Sequence, residues 1–175
     1  MQNASWLHRL GESHPGSEPS LGGRTHRARS RGFTLVELLI VMAIILTVSA
    51  IAVPSFSAAL DDARIARAVA DINTIETDIE AYEVENGSLP NSLADIGDDQ
   101  FVDPWGNPYQ YLNFADTKGK GKMRKDRFLV PINSTYDLYS MGKDGQSVPP
   151  ITAKVSQDDI IRANDGSYVG LASLY

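Results

Sequence analysis

The chain has 175 residues, no cysteine and a net charge of −6, which suggests one domain with appended segments. The lack of cysteine excludes disulfide bonds, thiol catalysis and cysteine-ligated metals. The charge is unevenly distributed: residues 1–32 contain five arginines and two glutamates, and the remainder has eleven basic and twenty acidic side chains. Such an acidic remainder argues against a dedicated nucleic-acid binder.

Residues 1–32 form a polar leader that ends in a cluster of arginines and Gly32. Basic residues that precede an apolar segment stay on the cytoplasmic side of a membrane, so the following part is expected on the opposite side. No small-residue cleavage site follows an apolar core, which excludes an ordinary secretory signal. The leader is therefore expected to contribute nothing to the folded domain.

Residues 33–56 form the next predicted element, a membrane-spanning helix. Glu37 is the only charged residue between Leu35 and Phe56. At ~1.5 Å per residue the segment spans about 36 Å, enough for a bilayer core of roughly 30 Å. A carboxylate in such a segment costs on the order of 2.5–3.5 kcal/mol, which marks Glu37 as functional. Pro54 predicts a kink or local melting at residues 50–54.

The helix is predicted to continue into residues 57–175 and to end at Asn86-Gly87, a common C-terminal cap. Its outer half has an apolar seam with heptad spacing, made of Ile65, Ala68, Ile72, Ile75, Ile79 and Tyr82. The amphipathic pattern predicts that this half packs on the rest of the domain.

Short strands are predicted at Tyr109–Asn113, Phe128–Val130 and Tyr136–Ser140, and a short helix or turn at Asp158–Asn164. The basic loop 118–127 is predicted to be a solvated hairpin tip. The expected fold class is α+β: a long N-terminal helix, half transmembrane and half amphipathic, packed on a small antiparallel sheet.

The sequence Arg31-Gly32-Phe33-Thr34-Leu35-Val36-Glu37-Leu38 resembles the class III signal of type IV pilins and pseudopilins. The resemblance implies that a prepilin peptidase cleaves after Gly32 and that Phe33 is then N-methylated. It also implies that Glu37 pairs with the terminal amine of a neighbouring subunit, and that the helix loosens at Pro54 in filaments. The pairing is physically reasonable, because a buried carboxylate is tolerated when a cation meets it.

Two further segments, Asp103–Tyr111 and Tyr136–Gly145, resemble the G-type major pseudopilin family of type II secretion. The resemblance implies a pilin fold and a structural, non-enzymatic subunit of a periplasmic pseudopilus. It places the chain in the bacterial inner membrane, single-pass, with its C-terminal domain in the periplasm. The implied partners are the prepilin peptidase, further copies of the chain, minor pseudopilins, and the inner-membrane assembly platform with its ATPase; no nucleic acid is implied.

The same resemblance implies one calcium ion. Its ligands would be the carboxylates of Asp144, Asp158 and Asp159 and the backbone carbonyl of Met141. Calcium takes six to eight oxygens, and adjacent acids in one loop repel unless a cation lies between them. Because the segment Gln146–Gln157 is longer than expected, Asn164 and Asp165 are alternative ligands.

Two rival functions remain open. A type IV pilus pilin, used for adhesion, motility or DNA uptake, would share the N-terminal signal, but the cysteine pairs common in such pilins are absent here. A membrane-anchored enzyme would need a catalytic group, and residues 33–175 contain neither histidine nor cysteine. The pseudopilus subunit is therefore the expected function.

Overall fold

A computed structural model describes residues 32–175. The predicted leader lies outside the described residues except for Gly32. The chain divides into a unit that ends at Ala43 and a unit of residues 44–175. Within the described part, the fold is one long helix and a four-stranded antiparallel sheet. The predicted α+β class and pilin fold are confirmed.

Helix α1 extends over Leu35–Asn86. Residues 50–54 are helical without interruption, so local melting is not found there, and a kink at Pro54 stays a prediction. Pro54 lacks a backbone N–H, and next to it the Ser55 hydroxyl donates to the Ile51 carbonyl at 3.1 Å. At the C-terminus Gly87 has φ of 70°, which a glycine adopts without steric cost. The predicted cap at Asn86-Gly87 is confirmed.

The sheet lies in the second unit and has the order β1-β2-β3-β4. Its strands are β1 (Gln110–Asn113), β2 (Tyr136–Ser140), β3 (Ile160–Ala163) and β4 (Tyr168–Leu171). Adjacent strands pair antiparallel, with Gln110 opposite Tyr139, Tyr139 opposite Ile161, and Ile160 opposite Leu171. Short 3-10 helices occupy Leu93–Ile96, Lys154–Ser156 and Ala172–Leu174.

Two of the predicted elements are wrong. Phe128–Val130 is not a strand, and the Phe128 side chain is 89% exposed. The helix or turn predicted at Asp158–Asn164 is replaced by β3, whose four residues are all buried. Burial on both faces removes the apolar–polar alternation that usually identifies a strand. Strands β1 and β2 are confirmed, and β4 is an addition to the prediction.

The main core lies between α1 and one face of the sheet. Four of the six predicted seam residues, Ala68, Ile72, Ile75 and Ile79, are fully buried, whereas Ile65 and Tyr82 are partly exposed. The four buried residues belong to one cluster with sheet residues that include Tyr136, Leu138 and Ile160. Burying an aliphatic side chain of this size stabilises a fold by roughly 1.5–3 kcal/mol, so this seam holds the helix on the sheet.

The other face of the sheet is also covered. Neighbouring residues of a strand point to opposite faces, so Ile161 joins a second buried cluster while Ile160 joins the first. The second cluster includes Ile132 and Ile151, which come from the loops between strands. The loop between β1 and β2 contains Arg124 and the loop between β2 and β3 contains Asp159, and these two side chains form an ion pair.

Candidate functional site

The N-terminal segment contains the residues expected to act in processing and assembly. Glu37 stands in the first turn of α1, where its carboxylate accepts hydrogen bonds of 2.9 Å from both the backbone N–H and the hydroxyl of Thr34. The Glu37 N–H donates back to the Thr34 hydroxyl at 3.1 Å. This reciprocal pattern is a capping box. The Thr-x-x-Glu spacing was sufficient to identify it, although the sequence analysis did not do so.

The side chains that follow are apolar and uncovered. An 18-residue window of α1 has a mean hydropathy of 2.7 with none of its residues buried. Among residues 32–175, α1 is the one helix long and apolar enough to cross a membrane. Phe33, the residue expected to be methylated, is 83% exposed. These features fit a single-pass membrane anchor.

The two domain motifs meet at the buried carboxylate of Asp103. One oxygen accepts from the backbone N–H groups of Trp105 at 3.0 Å and Asn107 at 2.8 Å. The other accepts from the Ser140 hydroxyl at 2.5 Å. The Asn107 side chain donates to the Gly142 carbonyl at 3.0 Å. Asp103 therefore shapes its own turn and fixes that turn against the end of β2.

The structure brings two of the expected calcium ligands together. The Asp158 carboxylate accepts a 3.1 Å hydrogen bond from the backbone N–H of Asp144. The Asp144 carboxylate is exposed and accepts a 2.8 Å hydrogen bond from the N–H of Gln146. Between Met141 and this turn, Gly142 has φ of 65°, and a Cβ there would lie 2.3 Å from the Asp158 carbonyl oxygen. Each of these two carboxylates thus already caps a backbone group.

Asp159, the third expected carboxylate, is fully buried and faces a cation from the protein itself. One of its oxygens lies 3.1 Å from Nη2 of Arg124 and also accepts from the Ser147 hydroxyl. Burial raises the pKa of Asp159, and the hydrogen bond from Ser147 and the charge of Arg124 oppose that rise. The prediction that loop 118–127 is a solvated hairpin tip is wrong at Met123 and Arg124, which are buried. Nothing in the sequence distinguishes Arg124 from the other basic residues of this loop.

The alternative ligands lie elsewhere. Asn164 and Asp165 form the turn between β3 and β4, both with positive φ. The Asp165 carboxylate there accepts from the Ser134 N–H at 2.7 Å and from its hydroxyl at 2.8 Å. Within residues 32–175, no group of three or more Asp, Glu, His or Cys side chains is arranged to hold a metal ion. Calcium binding stays a prediction.

Comparisons with known proteins agree with these features. A family model described as the prokaryotic N-terminal methylation motif matches residues 27–53. The type II secretion system core protein G of Pseudomonas aeruginosa is 30% identical over 141 residues, which cover 69% of this chain and 88% of that protein. The chain belongs to the core protein G family.

Other core protein G relatives are similar over the same extent. That of Aeromonas hydrophila is 27% identical and covered over 88% of its length, and that of Dickeya chrysanthemi is 27% identical and covered over 90%. No solved structure matches the chain. Membership in the core protein G family confirms the family resemblance that the sequence indicated.

Proposed function

We propose that the chain is a structural subunit of a type II secretion pseudopilus. The observation that carries this proposal is the match to core protein G over 69% of the chain, together with the methylation motif over residues 27–53. Both are joined to an apolar helix with one acid in its first turn. The role is structural and non-enzymatic, as the relatives' name, a core protein of a secretion system, suggests.

Processing precedes assembly in this proposal. The prepilin peptidase removes residues 1–32 after Gly32, and Phe33 is N-methylated. The mature chain is then held by residues 33–56 in the bacterial inner membrane, with residues 57–175 in the periplasm, as the arginines before Gly32 favour. An alkaline phosphatase fused after Tyr175 would be active in that orientation and inactive in the reverse one.

Assembly transfers α1 from lipid to the centre of a helical filament. Because lipid is already apolar, the gain must come from packing and from polar pairing between helices. The Glu37 carboxylate provides this pairing by accepting hydrogen bonds from the terminal amine of Phe33 in a neighbouring subunit. Glu37 thereby exchanges its hydrogen bonds from Thr34 for an ion pair between subunits. A head-to-tail interface of this kind repeats without closing and so generates a fibre. Loosening of the helix at Pro54 would let its membrane half reorient as it leaves the bilayer.

The partners follow from this mechanism: the prepilin peptidase, further copies of the chain, minor pseudopilins, and the assembly platform with its ATPase. The test is Glu37→Gln, which keeps the size of the side chain and removes its charge. We expect normal cleavage and membrane insertion with at least a tenfold loss of crosslinked polymer in cells. Glu85→Gln, an exposed acid near the other end of α1, is the control. A normal amount of polymer from Glu37→Gln would contradict the assembly role of Glu37. If the polymer of the unmodified chain is found only as a pilus on the cell surface, the type IV pilin function would be favoured instead.

A further inference from the structure

The segment that joins β2 to β3 is held by a buried arginine. Arg124 is 2% exposed although it stands in a loop rich in lysine. Its guanidinium donates to the Asp159 carboxylate at 3.1 Å, to the Ser147 hydroxyl and to the Val148 carbonyl. Ser147 and Val148 lie in the middle of the segment between β2 and β3, and Asp159 lies at its end, so one side chain ties these two parts of the segment together.

The position of Arg124 is fixed by hydrogen bonds of its backbone and by the contact of its guanidinium with the Tyr139 ring. Its N–H donates to the Asp137 carboxylate at 2.6 Å, and its carbonyl accepts from the Ile132 N–H at 3.0 Å. The guanidinium carbon lies 3.6 Å from the centre of the Tyr139 ring. A planar cation is stabilised over an aromatic face, and its fork of donors suits several oxygen acceptors at once. The site is therefore preformed for a guanidinium.

This arrangement does not fit a calcium ion that uses Asp159. The guanidinium already contacts the carboxylate, and its charge repels a second cation at hydrogen-bonding distance. Asp144 and Asp158 accept from backbone N–H groups, whereas calcium needs six to eight converging oxygens. The ion pair is formed by Arg124 Nη2 and Asp159 Oδ2, and the other Asp159 oxygen, Oδ1, is buried without a hydrogen-bond partner among the described residues, as is Arg124 Nε.

We propose that Arg124 supplies the internal cation of the segment between β2 and β3, so that this subunit folds and keeps its stability without calcium. Arg124 takes the place of the calcium ion that the family resemblance implies. Its charge neutralises Asp159, and its hydrogen bonds join residues that are distant along the chain. The inference concerns stability and metal dependence, and it stands whether or not the proposed filament role is correct.

The first test is thermal unfolding of the full chain in detergent, with 2 mM calcium or with a chelator. Bound calcium at a hundredfold excess over its dissociation constant would raise the Tm by about 5–10 °C. We expect the Tm values with calcium and with chelator to agree within about 1 °C. That difference is much smaller than the shift expected from bound calcium. A calcium-dependent rise in Tm, or terbium luminescence that calcium displaces, would overturn the proposal.

The second test is Arg124→Met, which keeps an unbranched chain and removes the cation. Arg127→Met, in the same loop at an exposed position, is the matched control. We expect a Tm loss of about 6–12 °C for Arg124→Met, since removing one partner of a buried ion pair leaves an uncompensated charge. The control should shift by less than about 2 °C. Equal Tm values for the two variants would contradict the role of Arg124.

Two further variants apply if Arg124→Met does not fold. Arg124→Lys keeps the charge without the fork, so we expect a smaller Tm loss and continued indifference to calcium. Asp159→Asn removes the buried charge, and combined with Arg124→Met it should recover part of the loss. Additive effects of the two changes would mean that the residues do not act as a pair, and would refute the proposal.

Discussion

The Arg162 guanidinium donates to the Glu76 carboxylate at 2.7 Å, which joins β3 to the C-terminal third of α1. Both side chains are largely buried, and the Arg162 guanidinium also lies 4.2 Å from the centre of the Tyr136 ring. Gly166 completes the contact, because a Cβ at that position would lie 2.4 Å from a Glu76 oxygen. The helix therefore meets the sheet through a polar contact as well as through the isoleucine seam.

This ion pair gives the first prediction. Arg162→Met should lower the free energy of unfolding by about 3–5 kcal/mol, because it leaves the Glu76 carboxylate buried without a cation. Arg67→Met is the control, since Arg67 is exposed and lies 3.8 Å from Asp71 on the same helix; it should cost less than about 1 kcal/mol. Urea unfolding of the detergent-solubilised chain measures both. Equal losses of unfolding free energy in the two variants would show that the Arg162–Glu76 ion pair stabilises the domain no more than an exposed pair does.

A second prediction concerns the hydroxyl that joins the two domain motifs. Ser140→Ala should destabilise the domain by about 1–3 kcal/mol, because the buried Asp103 carboxylate loses a charge-assisted donor. Ser173→Ala, at an exposed position, should have almost no effect. The difference in urea midpoint between the variants is the measurement. A stable Ser140→Ala protein would mean that the two motifs hold together without this bond.

The third prediction is a pH dependence that arises at Asp137. Burial raises the pKa of Asp137, and hydrogen bonds from the Arg124 N–H and the Asn133 side chain oppose the rise. A carboxyl whose pKa is higher in the folded state binds its proton more tightly there, so its contribution to stability declines as pH increases above about 4. Asp137→Asn should remove that decline.

The measurement for Asp137 is the slope of unfolding free energy against pH between 4.5 and 7.5. Asp116→Asn, an exposed acid in the loop after β1, is the control for the change in net charge. We expect a flatter slope in the Asp137 variant than in the control. Parallel slopes would mean that the pKa of Asp137 is the same in the folded and unfolded chains.

The fourth prediction separates processing from folding at Gly32. A Cβ added at Gly32 would meet no atom of residues 32–175 within 4 Å, so Gly32→Val should leave the fold of this part intact. We expect it to block removal of the leader, since cleavage after this residue depends on recognition by the peptidase. Gly121→Val, at a glycine with equally open surroundings, should be cleaved normally. A shortened Gly32→Val product on a gel would place the cleavage site elsewhere.

Local patterns predicted most of the helix and half of the sheet. The seam through Ile72 and Ile79 has heptad spacing, and the C-terminal cap of α1 at Asn86-Gly87 is a local signal. Strand β3 was misread because it is buried on both faces and so lacks the apolar–polar alternation of a half-exposed strand. Phe128–Val130 was misread because an apolar triplet usually indicates burial, whereas this one is exposed.

The site was predictable only where its contacts are local. The Thr34–Glu37 capping box joins residues three positions apart, and the sequence contains all that is needed to infer it. Arg124 meets Asp159 from 35 positions away, and its loop offers several cations of similar sequence context. The choice of the buried cation depends on how two loops cross the second face of the sheet, which no short pattern encodes.

The uncovered apolar side chains of Leu35–Phe56 determine where the subunits that join a growing fibre come from. Exposing some fifteen such side chains to water would cost roughly 20–40 kcal/mol, so a free aqueous subunit has a negligible population. Growth of a fibre then draws on molecules that diffuse within a plane, and its rate is set by their number per unit area of bilayer. Cells would regulate elongation by crowding at the membrane and not by concentration in a compartment.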